Sequence, residues 1–365
     1  MINLASSKLV QAGGVITTCF IFSSLLLVPG CGRQVDATDS HDGLRLAGPT
    51  MGTAWHALVW PDNELAADAH PGAVLTEAAG RGVDRVDLLM STYKPASDLS
   101  RFNRSAPNEW VEVDHLTVEV ALRSLELAEL TAGAFDPTVL PLVDAWSFGP
   151  GKRRLQPPSE TELISALALV DWRQLEVRRQ PPALRKRIRG LQLDFSAIAK
   201  GFGADQAADE LERTGATALL IEVGGEVVVR GHKPDGSKWQ VAIEKPVLDA
   251  AFASDSQVII ELAAGTAMAT SGDYRNWREI EGQAVAHTID PRTGKPVNHQ
   301  LASATVIAAD CMTADAIATA LMVLGPAAGL ELVETMPEVE CLLLIRSGEQ
   351  LEALTSSGFP PSLGD

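Results

Sequence analysis

Apolar residues recur at helical spacing twice in the first third of the chain, at Val83, Val86, Leu89 and Met90 and again at Val118, Leu122, Leu125 and Leu127, with Gly133 stopping the second run. Spacings of three and four gather side chains on one face, so two amphipathic helices are expected there. Beyond residue 218 the pattern changes. Residues 219–223, 227–229, 240–243 and 258–260 are short β-branched runs, punctuated by Gly224-Gly225, Asp235-Gly236 and Gly265. Such runs predict antiparallel strands joined by tight turns. Residues 305–308 and 341–345 predict two more strands, with a nearly all-apolar helix over 313–324 between them. The basic stretch 177–190 reads as a turn or hairpin with Pro181-Pro182 at its tip, and the Gly- and Pro-containing stretch 149–158 reads as a loop. No repeat at solenoid or propeller spacing is present. The irregular alternation of helix-rich and strand-rich stretches predicts an α+β fold, with mixed, largely antiparallel sheets and helices packed on their faces.

The start of the chain obeys a different pattern. Residues 15–28 form one apolar run, long enough for the hydrophobic region of a signal peptide and short for a membrane span. The run leads into Leu27-Val28-Pro29-Gly30-Cys31, which reads as a bacterial lipobox with lipidation expected at Cys31; an ordinary secretory signal cleaved nearby, or an N-terminal anchor, is the alternative. Residues 1–30 are then a signal peptide. Residues 31–47 form a polar tether, residues 48–350 a single domain and residues 351–365 a tail. The expected location is the bacterial cell envelope, lipid-anchored to a membrane and facing the periplasm.

Composition narrows the functions. There are 47 acidic against 30 basic side chains, a formal charge of -17. A phosphate-backbone binder needs a basic stripe, and the clusters Lys152-Arg153-Arg154 and Arg185-Lys186-Arg187 sit in an acidic background, so nucleic acid is not an expected partner. Four cysteines without a C-x-x-C pair argue against a zinc knuckle, a thioredoxin-like centre and a disulfide framework. The phosphate loop, the G-x-S-x-G elbow and H-E-x-x-H are absent, and Gly201-Phe202-Gly203 lacks the third glycine of a dinucleotide fingerprint. Chemistry must come from a constellation spread along the chain.

Three stretches carry candidates. Asp315 and Thr319 lie four apart on the apolar helix, hence on one face, and a carboxylate and a hydroxyl there need partners. A hard cation such as Mg²⁺ would supply one; helix capping by Asp315 and a back-bond from Thr319 to a carbonyl is the alternative. His287 and Asp290 stand three apart before a Pro-x-x-Gly turn, where a bend could join a general base to an aspartate. A plain hydrogen-bonded turn is the alternative. Residues 193–205 read as a strand running into a helix, with Lys200 either facing a phosphate at the helix start or lying in solvent. Asp205 and Asp209 read as solvated surface charges.

Taken together, the residues resemble the FAD:protein FMN transferase family, the ApbE-type flavin transferases. The resemblance runs from Gly48 to about Gly325 in ordered blocks: Thr50-Met51-Gly52-Thr53, Ser91-Thr92-Tyr93-Lys94, Gly133-Ala134-Phe135-Asp136-Pro137, Trp146-Ser147-Phe148-Gly149, Leu193-Asp194 to Lys200-Gly201, Gly224-Gly225, Thr270-Ser271-Gly272-Asp273-Tyr274, His287 to Gly294, and Ala314-Asp315 to Thr319. It implies an ApbE-like, T-fold-like architecture and an Mg²⁺-dependent enzyme. That enzyme would move FMN from FAD, its substrate, to a Ser or Thr hydroxyl of an exported acceptor protein, releasing AMP. By family position Asp315, Thr319 and the backbone carbonyl of Ala197 would hold the metal, and His287, with Asp290, would serve catalysis. Met51, Tyr93, Ala134, Phe135, Asp136, Asp194, Lys200 and Ile289 match positions that contact FAD. Tyr93 and Phe135 would pack on a ring system, and Asp136 and Asp194 would accept ribose or adenine hydrogen bonds. The chain departs from some relatives at Ala318, where they carry a second carboxylate, and at Lys200, where some have Glu. Flavinylated redox proteins facing the periplasm are the partners the resemblance implies. FAD hydrolysis to FMN and AMP, and storage of FAD by a non-catalytic lipoprotein, are the competing functions.

Overall fold

The computed structural model describes residues 42–149, 156–244, 246, 257–273, 277–280, 283–348 and 350–363. The apolar run, Cys31 and Lys152-Arg153-Arg154 lie outside the described residues. The chain enters on β1 (Leu44–Thr50) and turns through Met51 and Gly52, both at positive φ, into β2 (Thr53–Pro61). After α1 (Asn63–Ala66) comes α2 (Pro71–Met90), which starts with proline in its first turn, where the missing N–H costs nothing. Next come α3 (Asp98–Arg104), β3 (Val111–Glu112), α4 (His115–Leu130), α5 (Leu140–Ala145) and α6 (Glu160–Leu167). β4 (Leu175–Arg178) and β5 (Ala183–Lys186) form the basic hairpin around Pro181-Pro182. Then follow α7 (Ala199–Arg213), β6 (Ala216–Val223), β7 (Glu226–Arg230), β8 (Trp239–Glu244), β9 (Gln257–Leu262), β10 (Ala267–Gly272), β11 (Trp277–Ile280) and β12 (Gln283–Ala286). β13 (Leu301–Ala308), α8 (Cys311–Leu324), α9 (Pro326–Glu334), β14 (Glu340–Ser347) and β15 (Gln350–Thr355) complete the order.

Eight strands make one sheet in the order β1-β2-β6-β7-β10-β13-β14-β15, every neighbouring pair antiparallel. Side chains alternate across it with period two. On β2 and β6, Trp55, Ala57, Val59, Leu219, Ile221 and Val223 meet Leu75, Ala79 and Val83 of α2 and Ala204, Ala207 and Leu211 of α7. Leu58, Trp60 and Leu220 point the other way, onto Trp239, Val241, Ile243, Ile260 and Leu262 of the β8–β9 hairpin. Helices therefore cover one face and a two-stranded ribbon covers part of the other. The expected mixture of helix and largely antiparallel sheet is what the chain adopts.

Three expectations shift. β1 begins at Leu44, so the sheet reaches into the stretch read as tether. β15 covers much of the expected tail, because Leu354 and Ala353 pair with the buried Leu343 and Leu344. The strand expected from residue 193 is only an isolated bridge, Val139 to Gln192, since Asp194 gives its N–H to the Pro137 carbonyl and the chain then turns into α7.

Candidate active site

The apolar helix of the sequence is α8, and it is buried on nearly every side. Asp310 caps it by accepting the Thr313 N–H, so Asp315 is not its cap. Asp315 serves the neighbouring helix instead. α7 has no side-chain cap of its own, and the Gly201 N–H in its first turn donates to Asp315 Oδ2 at 3.0 Å. Asp205 of α7 returns the contact: its two carboxylate oxygens accept the Cys311 and Met312 N–H groups at 3.0 and 2.9 Å. Two helix amino termini are thus each capped from the other helix, which suits the partial positive charge there. Asp205 is buried rather than solvated, a correction to its reading as a surface charge; the loss of water is met by the orphan N–H groups of α8. Burial pushes its carboxyl up to about 7 against those hydrogen bonds. Glycine at 201 permits the approach, since a Cβ there would collide with the Cys311 carbonyl.

At this crossing Lys200 lies between two buried carboxylates. Its Nζ is 2.5 Å from Glu226 Oε1 and 3.5 Å from Asp315 Oδ1. Both acids are 2% exposed. Lys200 is half-buried and paired with these two carboxylates, so it does not lie free in solvent. Burial by itself would lower its pKa, but Asp315 and Glu226 hold it above the ordinary lysine value. Burial raises the Glu226 carboxyl above its ordinary value, the Lys200 ammonium bonded to it opposes that rise, and Asp315 adds to it. One turn on from Asp315, the Thr319 hydroxyl is 3.3 Å from the Ser271 hydroxyl on β10. Thr319 therefore has a partner on the sheet in place of a back-bond. Ala197, in the turn before α7, is half-buried.

Asp315, Thr319 and Ser271 offer only oxygen donors, which suits a hard cation. Among the described residues no three His, Cys, Asp or Glu side chains converge as a metal cage. A cation bound here must complete its shell with hydroxyl, carbonyl, water and substrate oxygens, and Mg²⁺ is bound in that manner. Glu226 Oε2, buried without a hydrogen-bond partner, adds negative charge that a cation would offset.

His287 and Asp290 belong to a tight loop. Ile289 bridges Pro296, the Asp290 N–H donates to the Lys295 carbonyl at 2.9 Å, and Gly294 closes the turn onto the Asp290 carbonyl at 2.8 Å. Trp146 Nε1 donates to the Gly294 carbonyl at 2.8 Å, tying the loop to the end of α5. His287 is half-buried, its ring edge-on to Phe148 with centroids 6.4 Å apart. The Asp290 carboxylate accepts the Arg292 N–H and two guanidinium bonds, all at 2.9 to 3.0 Å. Its visible work is to hold the loop's shape.

The model of the ApbE family matches residues 51–343. The chain belongs to the ApbE family. A curated relative from Vibrio cholerae, FAD:protein FMN transferase, is 38% identical over 93% of this chain and 97% of its own. The solved structure of flavin transferase ApbE from Vibrio cholerae shares 37% identity and covers 87% of this chain and 97% of its own, with a TM-score of 0.76. The apo flavinyl transferase ApbE of Pseudomonas stutzeri, at 34% identity, covers 88% and 97% with the same TM-score.

The positions expected to contact FAD fall into two groups. Tyr93 is 71% exposed and offers an open ring. Met51 lies at positive φ in the β1–β2 turn, close to Gly203 on α7. Asp194 is half-buried, accepts the Ser196 N–H, and has its carboxyl raised by burial. Ile289 is buried in the His287 loop beside Leu142. Ala134 and Phe135, however, are core residues, so the expectation that Phe135 stacks on a ring meets a side chain closed in by packing. Asp136 likewise spends Oδ1 on the Thr138 N–H and hydroxyl and Oδ2 on the Trp172 N–H, which makes it a turn-former. Sequence reasoning missed Glu226 and Ser271. The signal for Glu226 was a carboxylate opening an otherwise apolar strand directly after Gly224-Gly225.

Proposed function

We propose that this protein transfers FMN from FAD to a Ser or Thr hydroxyl of an exported acceptor protein, forming a phosphoester and releasing AMP, with Mg²⁺ at Asp315 and Thr319. The observation that carries the reading is the buried Asp315 at the α7–α8 crossing, with hydroxyls one turn away and an ammonium beside it. In this reading Asp315, the Thr319 hydroxyl and the Ala197 carbonyl hold the cation. The cation supplies neutralisation of pyrophosphate charge. The acceptor oxygen attacks the FMN phosphorus, the bond from that phosphorus to the AMP oxygen breaks, and AMP leaves. His287 takes the hydroxyl proton. Tyr93 covers the flavin, Asp194 accepts from the nucleotide, and Asp290 keeps the loop of His287 in shape through Arg292. The apolar run ahead of Cys31 supports export and lipid anchoring in the cell envelope, facing the periplasm and its redox proteins; among the described residues no helix is long and apolar enough to cross a membrane.

The test follows AMP release and acceptor mass together, with purified protein, FAD, Mg²⁺ and a redox domain presenting a Ser or Thr target. An FMN-sized mass gain matched by AMP is expected. Asp315→Ala should lower both by roughly a hundredfold or more, and His287→Ala should slow transfer by about a hundredfold while FAD affinity holds. AMP without labelling across acceptors would make the protein an FAD pyrophosphatase, and neither product would make it an FAD-binding lipoprotein.

A further inference from the structure

Lys200 has a choice of two carboxylates, and its Nζ sits 1.0 Å nearer to Glu226 than to Asp315, at 2.5 against 3.5 Å. The choice has chemical weight. The ammonium already makes a long hydrogen bond to Asp315 Oδ1, and closed fully onto that oxygen it would neutralise the charge a divalent cation needs and occupy the oxygen it would take. Asp315 Oδ2 is already fixed by the Gly201 N–H, so Oδ1 is the oxygen at stake. Glu226 is placed to win this competition. It opens β7 immediately after the Gly224-Gly225 turn, is buried, and reaches Lys200 across the start of α7. Gly224, at φ 63, gives the turn that leads into Glu226 a left-handed backbone that glycine takes at little cost. A buried carboxylate with one oxygen lacking a hydrogen-bond partner costs stability, so its retention calls for a role.

We propose that Glu226 is a positioning residue that holds the Lys200 ammonium off Asp315, leaving Asp315 an oxygen for a divalent cation. The proposal rests on the reading of Asp315 as a cation ligand. Removing the Glu226 charge lets the ammonium close on Asp315 and compete with the cation; removing the ammonium as well makes Glu226 unnecessary.

The experiment titrates Mn²⁺ into the protein with FAD present and reads free Mn²⁺ by its paramagnetic resonance signal, for the wild type, E226Q, K200M, E226Q/K200M and D315N, each checked by thermal unfolding. E226Q should weaken Mn²⁺ binding by about tenfold or more, and E226Q/K200M should recover wild-type affinity or better. Unchanged affinity in E226Q overturns the proposal. A double variant as weak as E226Q also overturns it, because Glu226 would then act on the cation directly. Wild-type binding in D315N, or no Mn²⁺ held by the wild type, would instead remove the cation site itself.

Discussion

Asp205 binds a proton more tightly in the folded chain, near 7, than its ordinary value of 3.8 allows in the unfolded one. The sign follows directly. The stabilisation tied to that proton is complete below about pH 4 and is lost as pH rises through about 7, above which a charge stays buried against the amino terminus of α8. Replacing it by asparagine removes the titration and keeps one acceptor for the Cys311 and Met312 N–H groups. Urea unfolding at pH 5, 6.5 and 8 should show the advantage of the wild type over Asp205→Asn shrinking as pH rises. A constant difference would mean that Asp205 is ionised throughout. Residues of this kind explain why the site was only half legible. Asp315 and Thr319 could be picked out because they are polar on an apolar helix. Asp205 reads as one of several helix acids until α8 is seen to begin against it, and the Glu226–Lys200 pair joins residues 26 apart in sequence.

Elements were easier to read than contacts between them. The α2, α4 and α8 helices and the β6 to β9 strands follow from local spacing alone, because periods of 3.6 and 2 are written into consecutive residues. Interhelical distance is not. In α2, Gly80 and Gly82 look equivalent in sequence, yet a Cβ on Gly82 would lie 2.6 Å from Ala207 Cα on α7, whereas one on Gly80 would meet nothing within 4 Å. Opposite outcomes follow for the same substitution two residues apart. Gly82→Ala must push α2 from α7 and should cost about 1–3 kcal/mol. Gly80→Ala should stabilise by about 0.5–1 kcal/mol, since it only removes helix-disfavouring freedom. Denaturant unfolding of the two variants measures both; a loss of stability in each would show that α2 tolerates no added methyl on either face.

At the scale of the whole molecule, the sheet has two edges, and their treatment differs from what a sequence shows. The closing segment is short and half polar, and nothing local marks it as structural. It nevertheless supplies the last strand. β15 pairs with β14 from Ser347↔Gln350 to Leu342↔Thr355. Beyond it, the Ser356 hydroxyl accepts the Cys341 N–H at 2.8 Å, Phe359 packs against the cluster under the β8–β9 ribbon, and the Leu363 N–H donates to the Ile259 carbonyl at 2.7 Å. One short segment therefore clasps both the sheet and its ribbon. Ending the chain after Gly348 would uncover the backbone edge of β14, whose Cys341, Leu342, Leu343 and Leu344 are buried, and a bare apolar edge invites pairing with another copy. The shortened protein should melt roughly 5–10 °C lower and form larger species on size-exclusion chromatography as its concentration rises. Asp315 and Thr319 sit on α8, away from that edge, so Mn²⁺ binding by the remaining monomer should persist. Unchanged melting would mean that the closing strand only decorates the sheet; loss of Mn²⁺ binding with the monomer still folded would mean that strain at β14 reaches α8 through β13.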